Sequence, residues 1–176
     1  MMWEPRTPTE RAMALAAITG LKLTYGPTLL LASSRRPWAR YLAVAAMGEC
    51  VLDKLGVLPS RSRLPLLIPR ALAGAWVARE AMRAQGAAGS WTAPMGAAVA
   101  AGTAVLAPTL RAASQELLAI PDPLLGLVED WVALRLGARA ADVPMDRLAA
   151  MARQALEEVQ QEAVGAMQSA RGLPQS

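Results

Sequence analysis

Residues Tyr41 to Arg70, YLAVAAMGECVLDKLGVLPSRSRLPLLIPR, decide how the whole chain is read. The stretch opens as an apolar helix and then carries Glu49, Asp53 and Lys54 within it. A proline-bounded basic turn follows, Pro59-Ser60-Arg61-Ser62-Arg63, and a second apolar run is interrupted by Arg70. Glu49 and Asp53, at i and i+4, share one face of a helix, one turn apart. Charges at a bilayer centre cost about 2.5 to 3.5 kcal/mol each, and apolar residues return about 0.3 to 0.6. Placed centrally, these three charges cost on the order of 8 kcal/mol, and the aliphatic residues around them return about half. Such a helix cannot face lipid with its charges. Either they end the helix at a membrane surface, or they point into a bundle where partners and water meet them.

Upstream, Thr9 and Glu10 can start a helix, and the apolar run from Arg11 to Ser34 carries one internal charge, Lys22. Twenty helical residues cover about 30 Å, the hydrocarbon thickness of a bilayer. Gly20 and Gly26-Pro27 lie inside this run, and the proline predicts a bend or break. Ser33 to Arg40 is a short basic loop, with Trp38 and Tyr41 where the next span, Trp38 to Leu58, would enter an interface.

Downstream, Leu64 to Ala78 is a short third apolar run, expected to be re-entrant or strongly buried. Ala84 to Leu110 has no charged residue, and its core from Trp91 is rich in glycine and alanine. A soluble helix of that length would show a polar face, so this run argues most strongly for a membrane. Arg111 to Glu116 reads as a polar break. Pro121-Asp122-Pro123 then leads into a fifth apolar helix holding Glu129, Asp130 and Arg135. The expected fold is therefore all-α: a polytopic helical membrane protein with four to five Ala/Gly-rich spans, some broken or re-entrant. Its parts are a polar N-terminal segment (1–10), a transmembrane bundle (11–138) and an amphipathic tail (139–176). In the tail, Asp142-Val143-Pro144 opens a helix whose stripe runs through Met145, Leu148, Ala152, Ala155, Val159, Ala163 and Ala166. It would pack on its own bundle or a partner helix, or lie on a membrane surface.

Composition narrows the function. The chain is 54% hydrophobic yet has no phenylalanine and no histidine, which removes the usual general base and the commonest transition-metal ligand. Its single cysteine, Cys50, allows neither an internal disulfide nor a structural zinc site. A net charge of +4 would suit nucleic acid, but the arginines are scattered through short loops with no basic stripe, so no nucleic-acid partner is expected. The N-terminus, MMWEPRTPTE, lacks the pattern of a signal peptide. No phosphate-binding loop, nucleophile elbow, HExxH or GxGxxG is present, and no cofactor is expected.

The candidate site is an interior cluster of Lys22, Glu49, Asp53, Lys54, Arg70, Asp122, Glu129 and Asp130. The chain has 16 arginines and only two lysines, and both lysines fall in apolar spans. Lysine is the compact cation that can lose its proton when buried. Oxygen ligands would suit magnesium, calcium or sodium, but no established metal motif is present. Spans one and two, then four and five, each pair a small-residue helix with an acid-bearing one, a faint inverted repeat.

The order of these features resembles a family of small bacterial integral membrane proteins catalogued as domain of unknown function 4126. Gly20-Leu21-Lys22, Glu49 with Asp53-Lys54, Pro59-Ser60-Arg61, Arg70-Ala71-Leu72-Ala73-Gly74 and Pro121-Asp122-Pro123 with Glu129-Asp130 carry the resemblance. It covers residues 17–137 and omits the tail. Members usually carry arginine at the position of Lys22, which would allow bidentate pairing that lysine lacks. The resemblance implies a multi-pass location in the bacterial inner (cytoplasmic) membrane and no particular activity. The expected function is a small, non-enzymatic transporter or channel for an ion or small polar solute. The alternative is a membrane scaffold whose charges are structural salt bridges. Membrane lipid is the expected partner, and small-residue helices also favour a homodimer.

Overall fold

The computed structural model describes residues 7–54, 64–118 and 121–171. The described residues form seven helices and no strand: α1 (Pro8–Leu21), α2 (Tyr25–Ser33), α3 (Ala39–Lys54), α4 (Leu64–Ala84), α5 (Thr92–Leu118), α6 (Asp122–Ala140) and α7 (Met145–Arg171). The all-α expectation holds.

α1 is capped two residues earlier than Thr9 implied, at Thr7. The Thr7 hydroxyl accepts from the Glu10 N–H at 3.1 Å, and the Glu10 carboxylate accepts from the Thr7 N–H at 3.3 Å. This reciprocal box, with Pro8 at the first helical position, satisfies two donors that a helix start leaves open. Thr7→Ala is expected to lower stability by about 1 kcal/mol, read as a drop in melting temperature with faster exchange of the Glu10 amide. An unchanged amide protection would show that the box carries no stability.

Proline explains why the first apolar run is two helices. Pro27 has no N–H for the Leu23 carbonyl, and its ring crowds that carbonyl. The chain therefore leaves the helix at Lys22 (φ −135°, ψ 115°) and begins α2 at Tyr25, with Pro27 in the first turn where no N–H is needed. The break precedes the proline rather than falling on it.

α2, α4 and α6 end in the same turn. Arg35 (φ 52°), Gly86 (φ 68°) and Asp142 (φ 56°) take the left-handed conformation. The next residue's N–H in each case closes back on the helix: Arg36 to Leu31, Ala87 to Met82 and Val143 to Ala138, at 2.8 to 3.0 Å.

α1 is the central post. It packs on α4, α5 and α6 and continues into α2, which lies against α3. Its buried side chains are mostly small: Ala12, Leu15, Ala16, Ile18 and Thr19. α7 packs its first turns on α3, burying Leu148 and Ala155. The Arg40 guanidinium pairs with Glu158 at 2.8 Å across this contact. The tail stripe thus covers its own bundle as far as Ala155, whereas Leu156, Val159, Val164 and Met167 are exposed.

Three expectations need correction. The third run is a continuous 21-residue helix, α4, about 31 Å long, and its Ile68, Leu72 and Trp76 are exposed rather than strongly buried. Arg79, Glu80 and Arg83 end its apolarity, not its helix. The segment Arg111 to Glu116 is not a break, because α5 continues through it to Leu118; its alanines, glutamine and glutamate are good helix formers. The two halves do not pack alike, since α2 lies along α3 while α5 packs on α1 and α4 and barely meets α6. One helix among the described residues, Thr92–Leu117, is long and apolar enough to cross a membrane by length and composition.

Candidate functional site

The break between α1 and α2 is where the interior charges meet. Residues 22–24 sit outside either helix; the Lys22 N–H still closes on the Ile18 carbonyl at 2.9 Å, but those of Leu23 and Thr24 have no helical acceptor. Glu49, on the facing side of α3, supplies one. Its carboxylate accepts from the Leu23 N–H at 2.9 Å, the Thr24 N–H at 3.0 Å and the Thr24 hydroxyl at 2.7 Å. A carboxylate at the start of α2 also meets the positive end of that helix. Thr24 itself makes no side-chain cap; Glu49 takes that role from another helix.

Arg70 reaches the same carboxylate from α4. Its Nη2 lies 3.4 Å from Glu49 Oε1, and its Nη1 donates to the Leu66 carbonyl at 3.1 Å. The Arg70 side chain is only 4% exposed. Pro69 stands beside it inside α4 and leaves one carbonyl of that turn without its helical donor.

On the other side of the break, Lys22 points to α6. Its Nζ is 3.1 Å from Asp130 Oδ1, and among the described residues Lys22 is the largest fully buried side chain, 1% exposed. Four of the predicted site residues, Lys22, Glu49, Arg70 and Asp130, therefore gather around one broken helix. Glu129 does not join them. It turns to α5 and faces the Arg111 guanidinium at 3.5 Å. Adjacent residues on a helix project about 100° apart, so Glu129 and Asp130 serve different neighbours. For Asp53, Lys54 and Asp122 the structure describes helical backbone alone, and Pro59, Ser60 and Arg61 lie outside the described residues.

Three participants were missed by the sequence reading. Thr24 and the Leu23 amide are central, and the usable signal was a threonine three residues before a proline, which marks a helix start. Arg111 was read as a loop residue, yet it lies in α5 and pairs with Glu129. Cys50 is half-buried, and its Sγ meets the Tyr25 hydroxyl at 2.8 Å. Both line an apolar cavity of about 440 Å³, closed on one side by Met145, Leu148 and Met151 of α7.

The exterior has the opposite character. Ile68, Leu72 and Trp76 follow one face of α4, Val105, Leu106 and Leu110 one face of α5, and Leu124, Val128 and Trp131 one face of α6, all exposed. Among the described residues no group of three metal-ligating side chains comes together. What the fold and site define is an all-α bundle with buried, paired charges inside and large apolar side chains outside. No family model matches the chain, and no curated protein or solved structure matches it either.

Proposed function

We propose that this chain is an integral membrane protein and a small transporter or channel for an ion or small polar solute. The supporting observation is the inverted distribution of polarity. Lys22 and Arg70 are buried with Asp130 and Glu49, while the outward faces of α4, α5 and α6 carry tryptophan, leucine, isoleucine and valine. Water favours the reverse arrangement, and a contiguous exposed apolar surface marks a face covered by something apolar.

Depth agrees with the reading. Glu49 lies ten residues beyond Ala39 and five before Lys54, and Asp130 eight beyond Asp122 and ten before Ala140, so each is about 15 Å from the farther end of its helix. That is half of a hydrocarbon core of about 30 Å. A discontinuous helix at that depth, with a carboxylate at one half-helix start and a lysine in the gap, is the arrangement used by transporters at their binding sites. The resemblance to the unknown-function family 4126 points to the same location.

A second reading has its own observation. Glu49 accepts four hydrogen bonds from three residues, and so complete a set of partners suits a structural brace in a membrane scaffold. Flux through liposomes holding the purified chain separates the two. Protons, sodium, potassium, magnesium and chloride would be scanned with entrapped dyes, beside the double variant Lys22→Met/Asp130→Leu, which removes a cation and an anion together. Transport expects flux in the native protein and at least a tenfold loss in a folded double variant. No flux of any of these ions in the native protein would end the transporter reading for them and favour the scaffold.

A further inference from the structure

We propose that the crevice between the ends of α2 and α4 is a binding site for the phosphate headgroup of an anionic phospholipid. The inference rests on the membrane reading above and adds a specific ligand at a specific place. The crevice has a volume of about 410 Å³. Leu30 and Leu31 give it apolar lining, Arg36 and Arg83 bring two cations to it, and Trp38 and Trp76 also line it.

Each part has a match in the chemistry of a phospholipid. The left-handed turn at Arg35 folds the chain back so that the Arg36 N–H closes on the Leu31 carbonyl, and both residues line the crevice. Two guanidinium groups offer planar forks to a phosphate. Trp38 and Trp76 are 69% and 42% exposed, the placement of an amphipathic ring at headgroup level. Trp76 also ends the exposed row Ile68, Leu72, Trp76 on α4, so the crevice is continuous with an apolar face along which acyl chains would lie. Basic pockets between helices, at the charged end of a bundle, are where such headgroups bind.

One group opposes the ligand. Glu80 lines the crevice and stands 3.6 Å from Arg83, with the Arg83 side chain 69% and the Glu80 side chain 38% exposed. Exposed pairs of this kind are weak, so a phosphate can displace the carboxylate from Arg83. Counting Arg36, Arg83 and Glu80, the crevice keeps one net positive charge.

The test uses the full chain reconstituted in phosphatidylcholine vesicles, with a fraction of lipid replaced by brominated phosphatidylglycerol or brominated phosphatidylcholine. Bromine quenches tryptophan fluorescence on contact. Expected is stronger quenching by the anionic lipid, with apparent affinity falling about fivefold for each of Arg36→Gln and Arg83→Gln. Glu80→Gln should shift the preference the opposite way. A control, Arg79→Gln, removes one charge from the same helix outside the crevice and should keep the preference. Equal quenching by both lipids, or equal loss in the control, would overturn the site while leaving the membrane reading intact. Quenching by neither lipid would mean that the chain does not insert, and both readings would fall. Loss of the preference on adding inorganic phosphate, against chloride at matched ionic strength, would make this a free-phosphate site and overturn the lipid assignment.

Discussion

Glu49→Ala is expected to destabilise the fold by about 3 to 5 kcal/mol, the range for breaking a buried ion pair. Three donors at the α1–α2 break and the Arg70 guanidinium lose their acceptor at once. The Glu49 side chain is 12% exposed, so water replaces it poorly. Glu49→Gln should cost less, because the amide oxygen still accepts from the Thr24 or Leu23 N–H while the negative charge beside Arg70 is lost. Thermal unfolding of the purified full chain measures both. Adding Arg70→Met to Glu49→Ala should recover part of the loss, since it removes the cation left behind; the coupling within this double-mutant cycle is expected to exceed 1 kcal/mol. Additive losses would mean that the two side chains act independently. An unchanged melting temperature in Glu49→Ala would show that the first turn of α2 is held by something else.

This carboxylate also shows where reading the sequence works and where it stops. The cost of burying charge grouped eight residues into one interior cluster, of which Lys22, Glu49, Arg70 and Asp130 meet around the break while Glu129 pairs elsewhere. The partners of Glu49 were hidden for a physical reason. Two are main-chain N–H groups, which every residue carries, and only the path of the chain at Pro27 exposes them. Glu129 and Asp130 looked like one acidic unit, and helical geometry splits them between Arg111 and Lys22. Helix extents failed in one consistent way. Apolar runs ended at Ala78 and Leu110, but helices continue wherever residues of good propensity follow, so α4 reaches Ala84 and α5 reaches Leu118. Polarity marks a change of surroundings, whereas proline and glycine mark a change of backbone. The turn at Gly86 obeys the second rule, and the one at Arg35 had no glycine to announce it.

Gly74→Leu is expected to prevent α4 and α5 from assembling at all, and Gly74→Ala to lower stability by up to about 3 kcal/mol. The two helices cross where Gly74 faces Gly96. A Cβ built on Gly74 would lie 2.8 Å from the Gly96 carbonyl oxygen and would overlap the Ala100 methyl. A Cβ on Gly96 would lie 2.6 Å from the Gly74 carbonyl oxygen and would overlap Ala78. Backbone oxygens cannot rotate away as a side-chain end can, so the helices must separate. Overpacking of this kind costs about 1 to 3 kcal/mol, and the better helix propensity of alanine returns up to about 1 kcal/mol, which leaves the net loss stated. Leucine adds three more carbons with no space to receive them. Separation at this crossing would also move Arg70, one turn before Gly74 on α4, away from Glu49. Gly74→Ala and Gly96→Ala together should therefore cost less than the sum of the two, because helices already displaced for one methyl make room for the second. Melting temperatures of the four proteins, with size-exclusion profiles for Gly74→Leu, provide the check. A Gly74→Leu chain that stays folded with an unchanged melting temperature would mean that α4 and α5 do not meet through these glycines.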